Sequence, residues 1–259
     1  MDFGMPYLLE VPTVEGCCAL ANELGLSFVE LNANFPVCDS QRLDPRELVR
    51  LAARYHVYFT FHAEEEFDPF TFNSDVRDAW LKSFVRELRL AAVLGMPIVN
   101  MHFPKGVYIT LPTEKTYLYE RYQDDFTDAL ADFRRACEKE LEGTDTRIAI
   151  ENTNGWMPWQ QQAIEYLLAS PFFGLTLDIG HSHAVENADE CFFRAHADKL
   201  IHMHGHDAQG RKNHLALGDG EIDLRSRFAW ARERNSRIVL ETKTIEALRT
   251  SVQRLPKYL

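Results

Sequence analysis

Eight short apolar runs, at residues 3–5, 28–31, 57–61, 98–101, 148–150, 174–177, 200–203 and 238–240, recur along the chain, and a longer stretch of helical periodicity follows each. This alternation predicts repeated βα units and a parallel sheet. The last run and the helix predicted at 244–255 need the first strand beside them to avoid an open edge, which favours closure over an open doubly wound sheet. No G-x-G-x-x-G fingerprint follows the first run, and Gly218-Asp219-Gly220 falls late in the chain, where it reads as a turn. The 259 residues match the usual length of one closed unit of this kind, and no linker or low-complexity segment divides them. The expectation is an α/β chain folded as a single (β/α)8 barrel.

Several helix starts are written in the sequence. Thr13 is placed to cap the first helix, Asp223 the seventh, and Asp44-Pro45-Arg46-Glu47 combines an N-cap, a first-turn proline and a capping-box glutamate. After the third strand, Val76, Trp80, Phe84, Leu88 and Ala91 recur at three- to four-residue spacing, so this stripe is expected to pack against the barrel rather than a cofactor.

Composition narrows the function. No apolar run approaches the roughly 20 residues of a membrane helix, and Met1-Asp2-Phe3-Gly4 lacks the basic-then-apolar layout of a signal peptide, so the expected location is cytoplasmic. Cys17, Cys18, Cys38, Cys137 and Cys191 are odd in number and lack C-x-x-C spacing, so they read as reduced, mostly packing residues. A formal net charge of −11 repels polyanions, which makes nucleic acid an unfavoured partner.

The ionisable residues sit at the strand ends. His62 follows the third strand, His102 the fourth, Glu151 the fifth, Asp178 and His181 the sixth, His204 the seventh and Glu241 the eighth. In a closed parallel barrel these ends share one face, where catalytic groups come from several strands. Any one of these residues alone reads as an ordinary hydrogen-bonded loop residue. Converging on one mouth, they would repel or stay unpaired at a cost of several kcal/mol each, roughly, unless a cation compensates. A nitrogen and oxygen donor set without sulfur suits Mn, Zn, Fe or Co, and the imidazoles argue against calcium. Glu151, Asp178, His204 and Glu241 form one four-ligand set; His62 and His102 can hold a second ion with Glu151 bridging.

The segments Ile150-Glu151-Asn152-Thr153, Leu177-Asp178-Ile179-Gly180-His181, His204-Gly205-His206-Asp207, His214-Leu215-Ala216-Leu217-Gly218-Asp219-Gly220-Glu221-Ile222-Asp223 and Leu240-Glu241 together resemble the xylose-isomerase-like TIM-barrel superfamily. That superfamily includes sugar and sugar-phosphate isomerases and epimerases, and endonuclease-IV-type apurinic-site nucleases. The resemblance covers nearly the whole chain and implies one such domain over residues 1–259. Its isomerase branch implies that Glu151, Asp178, His204 and Glu241 bind the metal, that Glu151 and Glu241 also move protons, and that His181 contacts the substrate. Its nuclease branch adds His62, His102 and His214 as ligands of further ions. Two departures oppose that branch. Lys212 stands where the nuclease pattern has a metal-binding aspartate, and His62-Ala63-Glu64-Glu65-Glu66-Phe67-Asp68 puts four acids near the reactive face.

The chemistry expected is proton transfer on a small polyol or sugar through a metal-stabilised enediolate, with Glu151 and Glu241 as base and acid. An endonuclease-IV-like phosphodiesterase is the second reading, a metal-dependent lyase or dehydratase the third, and a noncatalytic metal-binding scaffold the alternative from another class. Lys105, Arg211, Lys212 and Lys243 are cationic candidates for a substrate phosphate and equally read as solvated surface residues. Residues 103–115 are long enough to fold over the mouth as a lid or to pack as an ordinary loop.

Overall fold

The computed structural model describes residues 1–259. Eight parallel strands close into a barrel: β1 (Phe3–Pro6), β2 (Phe28–Asn32), β3 (Tyr58–His62), β4 (Ile98–His102), β7 (Arg147–Glu151), β8 (Phe173–Asp178), β9 (Leu200–His204) and β12 (Arg237–Val239). Closure comes from Phe3 and Gly4 pairing with Ile238 and Val239, so the first and last strands cover each other's edge. Two antiparallel hairpins stand outside the barrel: β5 (Tyr108–Thr110) with β6 (Lys115–Tyr117), and β10 (Asp207–Gln209) with β11 (Lys212–Leu215).

Helices cover the outside: α1 (Val14–Glu23), α2 (Pro45–Tyr55), α3 (Ser74–Leu94), α4 (Leu118–Arg121), α5 (Gln123–Leu141), α6 (Pro158–Leu168), α7 (Ile179–Ala184), α8 (Glu190–Ala195), α9 (Leu224–Glu233) and α10 (Ile245–Arg254). No helix is long and apolar enough to cross a membrane. Thr13, Asp44 and Asp223 accept hydrogen bonds from first-turn amides as their positions predict. Glu47 does not close a capping box: its carboxylate takes two hydrogen bonds from Arg50, an i,i+3 partner that competes for the same oxygens. On α3, Phe84, Leu88 and Ala91 are buried and Trp80 packs half-buried against the core, but Val76 in the first turn is 44% exposed.

Strand register places the site. His102 is level with Glu151 across β4 and β7, and Asp178 is level with His204 across β8 and β9. The second match depends on a register shift between Leu175 and Thr176. Continued from the Leu175–Leu200 pair without that shift, the ladder would set Asp178 level with Met203, and a one-residue slip turns a side chain to the other face. Beside the mouth, Phe67, Phe70, Phe84 and Phe133 pack with contacting ring centroids 4.6–6.1 Å apart and anchor the loop after β3 on α3 and α5.

Candidate metal centre

Glu151, Asp178, His204 and Glu241 meet at the C-terminal mouth, where each offers one ligand atom and all four atoms lie within 4.8 Å of one another. His204 Nδ1 is the hub: it stands 3.1 Å from Glu241 Oε2, 3.3 Å from Glu151 Oε2 and 3.8 Å from Asp178 Oδ2. Both ring nitrogens of His204 and Glu241 Oε2 are buried with no hydrogen-bond partner. Three carboxylates converging on an imidazole nitrogen, with orphaned buried atoms among them, form a donor set that fits a divalent cation of the Mn, Fe, Co or Zn type.

The remaining histidines predicted from sequence ring this centre. His62 Nε2 lies 3.4 Å and His102 Nε2 3.5 Å from the Glu151 carboxylate. His62 Nδ1 faces the Ala63 carbonyl at 2.7 Å, which puts the proton on Nδ1 and turns the Nε2 lone pair to the site. His181 Nδ1 is 3.4 Å from Glu151 Oε1 and 3.6 Å from Asp178 Oδ2. His214 Nε2 is 3.6 Å from Glu241 Oε1 and joins Asp178, His206 and Glu241 in a second group of convergent donors.

A layer of buried polar residues to which the sequence assigned no role holds these groups. Asn100 donates to Glu151 Oε2 and accepts from Thr176 Oγ1 at 2.5 Å. Asn152 joins β7 to β8 by donating to the Asp178 carbonyl and accepting from the Asp178 amide, at 3.0 and 2.8 Å. His206 Nε2 lies 3.1 Å from both Asp178 oxygens, and its Nδ1 accepts from the His214 amide at 3.1 Å. A side chain at Gly180 would collide with His206 and Asn213, so α7 passes the centre only with glycine there. Glu30, Thr60 and His202 lie fully buried on the inner side of His204. The overlooked signals are periodic: residues 202 and 204 share a face of β9, as 28 and 30 do on β2, so an acid inside the apolar run of β2 points inward.

Asp207 organises the motif that ends in Asp223. Its two oxygens accept from the amides of Ala208, Gly218, Gly220 and Ile222 at 2.9, 2.9, 3.0 and 3.1 Å, so the glycine-rich segment wraps a buried carboxylate.

The electrostatics follow from this crowding. Burial opposes ionisation at Glu151, yet His204 and His102 outweigh it and hold the carboxyl well below the usual carboxylate range. Burial is likewise overcome at Glu241, by His204 and His214, and at Asp178, by His206 and His181. In return, Glu151, Glu241 and Glu30 hold the His204 imidazole well above its ordinary value against its burial. Asp178 and Glu151 likewise raise His181 to about 10. The buried Glu151 and Asp178 and the half-buried Glu241 concentrate negative charge at one point, which a divalent ion could balance.

Beside the centre, His102 and His181 line a cavity of about 580 Å3 together with Glu65, Glu66, Asp68 and Lys105. Of the four cationic candidates, Lys105 lines this cavity and Lys243 reaches the centre, its Nζ 2.8 Å from Glu241 Oε1. Arg211 lines a separate depression with His183 and Glu221, and Lys212 is exposed at the start of β11. Residues 103–107 form one wall of the cavity, and the rest of the predicted lid or loop is the β5–β6 hairpin.

A model described as xylose isomerase-like TIM barrel matches residues 18–258. An uncharacterised protein of Methanocaldococcus jannaschii is 25% identical over 218 residues, which cover 82% of this chain and 81% of that protein. Among solved structures, a D-tagatose 3-epimerase-like protein superposes with a TM-score of 0.81 at 22% identity, covering 100% of this chain and 97% of the other. The 3-keto-D-glucoside 4-epimerase of E. coli gives 0.75 at 15% identity, with 100% and 98% covered. The IolI protein, solved with a zinc atom, gives 0.77 at 14% identity, again with 100% and 98% covered. At these identities the structural likenesses establish a shared fold.

Proposed function

Because the chain belongs to the xylose isomerase-like TIM-barrel family, we propose that it is a divalent-metal-dependent isomerase or epimerase of a small sugar. Glu151, Asp178, His204 and Glu241 hold the ion in this reading. The observation that carries it is the disposition of the two glutamates. Each turns Oε2 toward His204 Nδ1, at 3.3 and 3.1 Å. The Oε1 of Glu151 faces His102 and His181, at 3.5 and 3.4 Å, and that of Glu241 faces Lys243 and His214, at 2.8 and 3.6 Å.

In this reading Oε2 of each glutamate holds the ion while Oε1 takes or returns a proton; Glu151 Oε2 also accepts from Asn100 and Glu241 Oε1 from Lys243. Glu151 and Glu241 come from strand ends on different sides of the centre, as removal and return of a proton at one carbon require. When bound, the ion draws electron density from the carbonyl and neighbouring hydroxyl oxygens of a sugar, which acidifies the C–H between them. His181 lines the cavity beside Glu151 and contacts a substrate hydroxyl. His62 and His102, together with Glu151, would hold a second ion.

Two of the structural neighbours are a sugar epimerase and an epimerase-like protein and a third carries zinc, which supports the substrate class and the metal. Glu65, Glu66 and Asp68 outnumber Lys105 on the cavity wall, which favours an unphosphorylated sugar. The presence of His62, His102 and His214 at the centre favours an apurinic-site nuclease as the second reading, and the same acidic wall opposes it.

The test is a panel of aldoses, ketoses and their phosphates incubated in D2O with protein stripped by chelator and reloaded with Mn2+, Zn2+, Fe2+ or Co2+. The expected result is an isomer or epimer of an unphosphorylated sugar, with deuterium at the carbon beside the carbonyl and no product after stripping. No product with any of the four ions overturns the reading, and incision of an abasic duplex replaces it with the nuclease.

A further inference from the structure

Glu30 is a buried carboxylate on β2, inside the barrel, beneath the ring of strand-end residues. Its neighbours in the strand, Phe28, Val29 and Leu31, are apolar and buried. A charge at such a point costs several kcal/mol, roughly, unless its partners are exact in number and place. Three groups face Glu30. Oε2 accepts from Thr60 Oγ1 at 2.9 Å and faces His202 Nε2 at 3.0 Å. Oε1 lies 2.9 Å from His204 Nε2, a charge contact without hydrogen-bond alignment.

An ionised carboxylate only accepts hydrogen bonds, so the imidazole nitrogen facing it is the one that carries a proton. With that proton on Nε2, the neutral His204 ring leaves its lone pair on Nδ1. Nδ1 is the atom turned to Glu151, Asp178 and Glu241. The opposite tautomer would set the Nε2 lone pair against a carboxylate oxygen and aim an N–H into the ion's place. We infer that Glu30 is a positioning residue for the metal centre, fixing His204 as the Nε2–H tautomer so that Nδ1 is always the ligand atom. Glu30, His204 and the ion then form a carboxylate–histidine–metal series, in which the outer carboxylate sets ring orientation and raises the basicity of the ligating nitrogen. Thr60 and His202 saturate the other carboxylate oxygen, which leaves Oε1 to His204.

The inference rests on the metal-centre reading, and one experiment separates the two. Zn2+ is titrated by calorimetry into the chelator-stripped full chain as wild type, Asp178→Asn and Glu30→Gln. Asp178→Asn is expected to abolish tight binding, and Glu30→Gln to weaken it by roughly 10- to 100-fold at unchanged stoichiometry. Unchanged binding in Asp178→Asn overturns the metal centre. Loss in Asp178→Asn with wild-type affinity in Glu30→Gln overturns the role of Glu30 alone. A second measurement needs no variant: two-bond 1H–15N correlation of the zinc-loaded wild type reads the His204 tautomer directly. A proton on Nε2 is expected, and a proton on Nδ1 overturns the inference even where Glu30→Gln fails to fold.

Discussion

Replacing Asp207 by Asn tests how the β9–α9 segment supports the centre. Both carboxylate oxygens are buried, and each accepts two amide hydrogens, Ala208 and Ile222 on Oδ1, Gly218 and Gly220 on Oδ2. Asparagine has the same shape but one acceptor, so whichever way it turns, its NH2 group meets one pair of amide donors. Two hydrogen bonds to a charged group are lost, at about 1.5–3 kcal/mol each, for a total of about 3–6 kcal/mol. For a chain of this size each kcal/mol lowers Tm by roughly 2–4 °C, so a fall on the order of 10–20 °C is expected. The segment also carries His214, whose amide bonds to His206 Nδ1, so Zn2+ affinity should fall with stability. Urea and thermal unfolding of the zinc-free protein measure the first effect, calorimetry the second. A loss under about 1 kcal/mol would refute the claim that this carboxylate organises the segment.

Other expectations are independent of that one. Glu151→Gln and Glu241→Gln should each lower turnover by roughly 10²- to 10⁴-fold with an unchanged far-UV circular dichroism spectrum; wild-type turnover in either removes it as a proton carrier. Burial, reinforced by Glu64, raises the Glu87 carboxyl from 4.5 to about 8. Between those values the folded chain keeps a proton that the unfolded chain has released, so stability falls as pH rises through the window, on the order of 3 kcal/mol from pH 5 to 8. Glu87→Gln should flatten that slope in urea titrations at the two pH values; an equally steep variant contradicts the assignment. Gly180→Ala drives a methyl group into His206 and Asn213, and should cost about 1–3 kcal/mol; a variant as stable as wild type, with undiminished Zn2+ affinity, would show that the packing there is loose.

Much of this was legible in the sequence, and for identifiable reasons. The barrel strands lie within a residue or so of the apolar runs because buried parallel strands read as continuous hydrophobic stretches. His62, His102, Glu151, Asp178, His181, His204, His214 and Glu241 stand together because strand ends of a parallel barrel share a face, whatever the loops do. The hairpins at 108–117 and 207–215 were hidden because strands of three or four residues carry too little alternation to separate from a loop. Glu30 went unremarked because one acid among Phe28, Val29 and Leu31 does not alter the strand signal, and its partners lie 30, 172 and 174 positions away in sequence. The register shift at Leu175–Thr176, on which the Asp178–His204 pairing depends, leaves no compositional trace.

In the proposed centre, four residues from four strand ends hold one ion. Crystals grown with Mn2+ and measured on both sides of the manganese absorption edge would locate that ion directly. The expected result is an anomalous peak about 2.0–2.3 Å from His204 Nδ1 and from oxygens of Glu151, Asp178 and Glu241. A protein saturated with manganese that shows its peak elsewhere, or shows none at these four side chains, would contradict it.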